Sequence, residues 1–319
     1  MADEGPLPVS EPIDPVLGQR LLDALTHVVE LEETFEIQHR LPVHDRSRLR
    51  LDESVGNAAS GFNTASVAVA GSLDHLRTWY QLVAGDLKRF PLPIFSPYTL
   101  ARGAYEPALL ALWLLDPDVD SAQRIGRGYA AQLRSLDDMR KFQQAAGMTG
   151  DAANAPALYQ RLFGSARAAG YVTSSPDGTE RLTIAVPTMV RLFNRYDGPA
   201  PAAGLPEWLY RFLSGHAHGR EWAMMHGATE ADLDGFDTGM NMIQVDLALM
   251  CHLAERTVAI VSRAVATHVR YRTQPLPKAG SSPLPVGGEG VLQAGLARLG
   301  DDERAGPFEH HQRRRLGPP

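Results

Sequence analysis

Apolar residues recur every three or four positions over most of the chain, which is the spacing of helices that bury one face. The segments with this pattern are 14–40, 53–89, 97–115, 120–146, 156–170, 187–196, 206–225 and 240–269. The pattern predicts an all-α fold, a helical bundle of about seven or eight helices. We expect four of these segments to form its centre: 97–115, 120–146, 206–225 and 240–269.

Turn and capping residues mark the ends of these segments and one interruption of the helical pattern. Asp14-Pro15 is a typical pair of a capping residue and a first helical residue, so the first helix should begin there and run to about residue 40. Residues 171–186 alternate weakly between apolar and polar and contain Asp177-Gly178. This dipeptide favours a tight turn between two strands, which predicts one small β-hairpin insertion.

The distribution of proline, glycine and charge divides the chain into three parts. Residues 1–13 and 273–319 are rich in these residues and poor in apolar ones, so we predict disordered termini on either side of a single helical domain at 14–272. The first residues lack the basic-then-apolar order of a signal peptide. No apolar run reaches the ~18 residues that a membrane span needs, so we expect no membrane association.

Composition and charge narrow the range of functions only slightly. The chain has 319 residues, of which 44% are hydrophobic, enough for a large core. Its formal net charge of −6 argues against a general nucleic-acid binder, although a local basic patch stays open. The single cysteine, Cys251, lies in an apolar run and is predicted to be a buried, inert thiol. A single cysteine cannot form a disulfide within the chain, which favours the reducing cytoplasm. The amino-acid composition is typical of a bacterial protein.

The residues that can do chemistry are concentrated in the segment 208–225, WLYRFLSGHAHGREWAMM. Its polar residues are Tyr210, Arg211, Ser214, His216, His218, Arg220 and Glu221. On a helix, Tyr210, Ser214 and His218 form one line, and Arg211 shares a face with His218, whereas His216 points elsewhere. Two glycines in the segment each lower helix propensity by roughly 1 kcal/mol relative to alanine, and they would also let another backbone or a ligand come close.

This segment supports two interpretations. A histidine with a near-neutral pKa can exchange a proton with the 2′-hydroxyl or the leaving 5′-oxygen of RNA, and an arginine can stabilise charge on the phosphate. His218 or His216 would then be the general acid or base, and Arg211 would be the phosphate ligand. Alternatively, the polar line of Tyr210, Ser214 and His218 is buried and fixes the packing register of the helices.

Two further groups of charged residues lie on predicted helices. Arg102 and Glu106 are four residues apart on the apolar segment 97–115, which fits a pocket wall or an ordinary structural ion pair. Glu33-x-x-Glu36-x-x-His39 contains half of the motif of a di-iron carboxylate site. The second Glu-x-x-His of such a site is missing from the helical region, which favours a solvated acidic face and no metal.

Motifs for common cofactors are also missing. The chain has no phosphate-binding glycine loop, no dinucleotide fingerprint, no Gly-x-Ser-x-Gly elbow and no His-Glu-x-x-His zinc motif. The sequence therefore predicts no cofactor.

An arginine followed four to six residues later by a histidine, on a helix of an all-α protein, resembles the motif of the HEPN superfamily. Arg211 with His216 or His218 matches this spacing, with Phe212 in place of the polar residue that typically follows the arginine. The resemblance covers under a tenth of the chain. It implies a metal-independent ribonuclease or a defence-type toxin, with RNA as a partner and a site formed in a homodimer.

A second resemblance is to uncharacterised bacterial helical domains that combine an Arg-x3-Glu helix with a later Tyr-x3-Ser-x3-His helix. Arg102 and Glu106 match the first pattern, and Tyr210, Ser214 and His218 match the second. In this interpretation the site of Arg211 and His218 is lined by four further residues: Arg102, Glu106, Tyr210 and Ser214. Two other functions stay open: a non-catalytic helical interaction or regulatory module, and a biosynthetic enzyme that acts on a small molecule in the same pocket.

Overall fold

The computed structural model of the protein describes residues 14–84, 95–150, 153–197, 205–220, 222–223, 228–231 and 242–276. The predicted disordered termini fall outside these ranges, apart from residues 273–276. The described residues form nine helices: Pro15–Arg40 (α1), Arg48–Val55 (α2), Ala58–Ala84 (α3), Ser96–Leu114 (α4), Ser121–Ala145 (α5), Ala155–Ala168 (α6), Met189–Tyr196 (α7), Leu205–Ala217 (α8) and Leu247–Thr273 (α9). The predicted all-α fold with a small β insertion is confirmed.

Local capping explains why the first helix begins where it was predicted. The carboxylate of Asp14 accepts hydrogen bonds from the backbone N–H groups of Val16, at 2.8 Å, and Leu17, at 3.3 Å. These bonds satisfy two amides that have no partner inside the helix. Asp120 does the same for α5 by accepting a bond of 2.7 Å from the backbone N–H of Gln123.

The β-hairpin is also where the sequence placed it. Val172–Ser174 (β1) and Glu180–Leu182 (β2) pair antiparallel. Gly178 in the connecting turn has a φ of 79°, a left-handed conformation that glycine adopts at no steric cost.

Several predicted boundaries are wrong. The charged stretch before residue 53 contains the start of α2, which the hydroxyl of Ser47 caps by accepting from the N–H of Arg50 at 3.3 Å. The last helix begins at Leu247 rather than near 240. The residues before it form a strand, Met242–Val245 (β4), which pairs antiparallel with Ala228–Ala231 (β3). This second ribbon was missed because the apolar residues of β4 were included in the predicted helix 240–269, although Asp234-Gly235 lies between the two strands.

The core lies where five long helices meet. Helix α3 packs against α1, α4 and α5, and α9 packs against α1 and α4. Large side chains that are fully buried in this core include Trp79, Tyr98, Tyr105, Leu21, Leu25 and Leu109. The predicted central position of α4 is confirmed, since most of its side chains are buried.

Buried ion pairs tie the outer helices to this core. Asp52 of α2 is fully buried, and its carboxylate accepts hydrogen bonds from Arg124 of α5 at 2.6 and 2.7 Å. The hydroxyls of Ser121 and Tyr271 donate to the same carboxylate, so α2, α5 and α9 meet at one charge. Burial alone would raise the pKa of Asp52, but these hydrogen bonds outweigh it and hold the pKa below its usual range.

Asp197, which follows α7, makes a second tie of the same kind. Its carboxylate accepts a hydrogen bond from the hydroxyl of Tyr105 on α4 and one of 2.7 Å from Arg256 on α9. The central helix, the last helix and α7 are therefore connected through one carboxylate.

Cys251 occupies the predicted environment. Its side chain is fully buried in α9, and its Sγ donates a hydrogen bond of 3.2 Å to the carbonyl oxygen of Leu17 on α1. Burial raises the pKa of this thiol to about 11. The prediction of a buried cysteine is confirmed.

We predict that Asp52→Asn destabilises the protein by about 3–5 kcal/mol, because Arg124 would lose its counter-charge while staying buried. Urea unfolding followed by circular dichroism measures this change. The neighbouring exposed pair offers a control: Glu53 lies 2.7 Å from Arg50, and Glu53→Gln should cost less than about 1 kcal/mol. Equal costs for the two variants would contradict the assignment of Asp52 as a tie between helices.

We also predict that Cys251 reacts with a thiol reagent such as 5,5′-dithiobis-(2-nitrobenzoic acid) only after the protein unfolds. The thiolate is the reactive form, and both the raised pKa and the burial keep it scarce. Labelling should therefore be slow in native buffer and fast in denaturant. Rapid labelling of the folded protein would show that this part of α9 opens.

Candidate functional site

Helix α8 carries most of the predicted site residues and packs one face into the core. Leu209, Phe212 and Leu213 are buried, as expected from the apolar periodicity of the segment 206–225. The helix contacts α4 and α7, and the ring of Phe212 lies edge-on to that of Tyr98 at 5.2 Å. The polar residues of α8 are therefore held on a fixed support.

The end of α8 differs from the prediction, which extended this helix to residue 225. The N–H of Arg220 donates to the carbonyl of Gly215 at 2.8 Å, and the N–H of Gly219 donates to that of His216 at 3.1 Å. Gly219 has a φ of 61°. This pattern is a Schellman motif, which ends a helix with a left-handed glycine. Consequently His218 lies just after the last helical residue rather than inside a long helix.

The structure separates the predicted site residues of α8 by exposure. Arg211 and His218 are exposed, Tyr210 and Ser214 are half-buried, and His216 is buried. The line from Tyr210 through Ser214 to His218 thus runs from the protein interior to the surface. The alternative in which His218 is a buried register residue does not fit its exposed position.

His216 lies in an aromatic cage. Its ring stacks on that of Tyr98, with 4.0 Å between the centroids, and it also contacts the rings of Phe212 at 4.6 Å and Phe95 at 6.0 Å. Neither ring nitrogen has a hydrogen-bond partner among the residues that the structure describes. Burial lowers the pKa of His216 to about 4, so its imidazole is neutral at physiological pH.

Gly215 confirms the expectation that glycine in this segment allows a close approach. A Cβ at this position would lie 2.5 Å from the Cβ of Ala223 and 2.8 Å from the ring of Trp222. Trp222 therefore covers Gly215 while 48% of its surface stays exposed. Gly215 lies four residues after Arg211 and three before His218, so the cation, the indole and the imidazole share one side of α8.

The other predicted lining residues lie on α4 and α8. Arg102 Nε donates to Glu106 Oε1 at 2.7 Å, and about a fifth of each side chain is exposed, 21% and 23% respectively. The two residues therefore form an ion pair, which was one of the two alternatives. Tyr210 packs edge-on against Phe193 of α7 at 5.5 Å.

The predicted acidic face of α1 is also present. Glu33, Glu36 and His39 are exposed, and the ring of His39 lies 4.5 Å from that of Phe35. Within the described ranges there is no group of three or more histidine, cysteine, aspartate or glutamate side chains that could hold a metal ion.

Sequence reasoning missed a separate cleft of about 560 Å³, which is lined in part by Arg127 of α5 and by Arg191 and Arg195 of α7. None of the predicted site residues lines it. The one available signal was the pair of arginines four residues apart on a short helix, which places both on one face. Their approach to Arg127 depends on the tertiary fold.

Comparisons of the chain with protein-family models, with curated proteins and with solved structures gave no match. The fold itself therefore defines the class: an all-α bundle that carries two small antiparallel ribbons in its described part. None of the described helices combines the length and the apolar character needed to cross a membrane.

We predict that His216→Phe stabilises the protein at neutral pH by about 1 kcal/mol or more, because it removes two buried nitrogens without partners and keeps the aromatic contacts. It should also reduce acid sensitivity. In the native protein the pKa of His216 falls from 6.5 to about 4, so the unfolded chain binds a proton that the folded one does not. The free energy of unfolding therefore decreases as the pH falls from 6.5 towards about 4, by up to about 1.4 kcal/mol per pH unit.

Thermal melts between neutral and acidic pH measure both effects. His27→Phe, at an exposed histidine of α1, is the control and should leave the pH dependence unchanged. An unchanged acid response in His216→Phe would show that the imidazole reaches solvent.

Proposed function

We propose that this protein is a HEPN-like, metal-independent ribonuclease, of the kind found among defence-type toxins, which acts in the bacterial cytoplasm through Arg211 and His218. The observation that carries the proposal is the common exposure of these two side chains on one side of α8. The Arg-x6-His spacing, its position at the end of a helix and the all-α fold support the resemblance to HEPN ribonucleases.

The chemistry assigns one role to each residue. In RNA cleavage the 2′-oxygen attacks the neighbouring phosphorus and the bond to the 5′-oxygen breaks, which leaves a 2′,3′-cyclic phosphate and a 5′-hydroxyl. One proton leaves the 2′-hydroxyl and one reaches the 5′-oxygen, so the step is balanced. His218 takes or supplies one of these protons, and Arg211 stabilises the charge on the phosphate.

His216 does not take part in this proposal. Its ring is enclosed by three aromatic rings, and its low pKa leaves it neutral and buried. A general acid or base must come within hydrogen-bond reach of the proton that it transfers. His218, at the exposed end of the helix, meets this requirement without any movement of the core.

Trp222 supports the choice of a single-stranded nucleic acid as substrate. An exposed aromatic ring offers a stacking surface for a base, and such stacking is worth roughly 1–3 kcal/mol per base. The ring lies against Gly215, between Arg211 and His218 along the helix. Arg211 and the exposed Arg220 give this region positive charge in a chain whose formal net charge is −6.

The resemblance also supports a homodimer. In HEPN proteins the paired helices often form the site across two copies, and one histidine provides only one of the two proton transfers. We therefore propose that a second copy of the chain faces this side of α8. Sedimentation velocity tests the dimer separately from activity.

We predict that the purified protein cleaves single-stranded RNA in the presence of a chelator and leaves cyclic-phosphate ends. His218→Asn should lower the rate by roughly 10²–10⁴-fold, the range for loss of a general acid or base. Arg211→Gln should lower it as well. Gly215→Ala, which displaces the indole of Trp222, should raise KM more than it lowers kcat.

Matched controls are His27→Asn on α1 and Arg161→Gln on α6, which change exposed residues of the same types. Both should retain full activity and the native melting temperature. If His218→Asn cleaves as fast as the native protein, or if the folded native protein leaves RNA intact, the ribonuclease proposal fails and the interaction module or small-molecule enzyme takes its place.

A further inference from the structure

A second site is formed by three arginines that point into the cleft between α5, α7 and the segment after β2. Arg127 is almost fully buried, with 7% of its side chain exposed, whereas Arg195 is half-exposed at 49% and Arg191 is exposed. All three line the same cleft. The positively charged guanidinium groups repel each other, so a negatively charged group bound between them would be stabilising.

Asp116, at the end of α4, provides part of that negative charge and fixes the position of two of the arginines. Its Oδ2 accepts hydrogen bonds from Arg195 at 2.6 Å, from the hydroxyl of Tyr196 at 2.7 Å and from Arg127 at 3.3 Å. The backbone N–H of Asp118 donates to Oδ1 at 3.0 Å. The two guanidinium groups are therefore held in place before any ligand arrives, which reduces the entropic cost of binding.

The charges do not cancel in this arrangement. Burial would raise the pKa of Asp116, but the bonds from Tyr196 and Asp118 and the charges of Arg195 and Arg127 outweigh it and hold the pKa below its usual range, so the carboxylate is ionised at neutral pH. Three guanidinium groups against one carboxylate leave a net charge of +2. Asp116 lies behind the two arginines that it binds, and no acidic side chain lines the cleft itself among the described residues.

The rest of the lining is largely apolar. Trp113, Ile184 and Leu192 contribute to it, and Gln123 adds an amide. Ile184 is seated against Gly126 of α5, where a Cβ would lie only 2.7 Å from its Cδ1. This apolar part of the wall is therefore tightly packed, and it suits the uncharged body of a ligand.

We propose that this cleft binds a small organic molecule through a terminal phosphate monoester. Such a group carries about −1.5 to −2 charges at neutral pH, which matches the net +2 of the cleft. Its terminal oxygens fit the forked donors of guanidinium groups, and arginine is the residue best suited to such contacts. The volume of about 560 Å³ admits a nucleotide or a sugar phosphate and lies within the usual range of small-molecule sites.

This site is independent of the proposed ribonuclease function, because it uses α5 and α7 and neither Arg211 nor His218. A phosphorylated metabolite bound here would be a ligand or a regulator of the protein in its own right. Nucleotides and sugar phosphates both carry a terminal phosphate monoester, so binding measurements must decide which of these two classes of ligand the cleft prefers.

Isothermal titration calorimetry with the full-length protein, at constant ionic strength, tests the proposal with four probes: inorganic phosphate, adenosine 5′-monophosphate, ribose 5-phosphate and citrate. We expect one of the two organic phosphates to bind more tightly than inorganic phosphate, since its body contacts the apolar wall. Tighter binding of adenosine 5′-monophosphate would indicate a nucleotide ligand, and tighter binding of ribose 5-phosphate would indicate a sugar phosphate. Citrate, which presents only carboxylates, should bind more weakly than either.

Two substitutions locate the site. Arg191→Gln should weaken binding of the organic phosphate about tenfold or more, the loss expected for one hydrogen bond to a charged group. Arg191 makes no ion pair with the described part of the chain, so its loss should leave the fold intact. Arg195→Gln should weaken binding similarly, and its melting curve shows whether Asp116 retains its other partners.

Arg161→Gln on α6 and His218→Asn are the controls, and both should bind the organic phosphate as the native protein does. Unchanged affinity in Arg191→Gln and Arg195→Gln, absence of binding by all phosphates, or tighter binding of citrate would overturn the proposal. A loss of affinity in His218→Asn would place the phosphate at the α8 site instead and would overturn it as well.

Discussion

The pairing of a buried aspartate with an arginine and a tyrosine from other helices is the interaction on which this fold depends. In the described part of the chain it occurs three times, at Asp52, at Asp116 and at Asp197. An unpaired carboxylate inside the protein would cost several kcal/mol, whereas a paired one contributes little net stability. These ties therefore act mainly on geometry: a helix that slipped by one turn would leave a buried charge without its partner.

The same chemistry has two different outcomes in the structure. Around Asp52 the ion pair is closed, because Arg124 and the carboxylate are both buried and no space remains for another molecule. Around Asp116 the arginines outnumber the carboxylate, and part of their surface faces an open cleft. The closed tie at Asp52 and the cleft beside Asp116 differ by two additional arginines and by access to solvent, and residue type alone would not have distinguished the two.

This distinction also shows how far the sequence could predict the fold. Features set by neighbours in the chain were predictable, such as the cap at Asp14 and the turn at Gly178. Contacts between distant residues were not: Asp116 and Arg195 are 79 residues apart, and no spacing rule connects them. The second ribbon was missed for a different reason: its second strand was included in the predicted helix 240–269, although Asp234-Gly235 between the strands favours a turn.

The two histidines of α8 were a case in which the sequence held more than was used. His216 lies four residues after Phe212, an apolar residue of the segment 206–225, so helical geometry places both on the core face of α8. His218 is two residues further, which on a helix is about 200° around the axis, and it lies on the side of Arg211. The periodicity that identified the core face thus also decides which histidine meets solvent. The glycine at residue 219, which ends the helix, then leaves that side chain at the exposed end of α8.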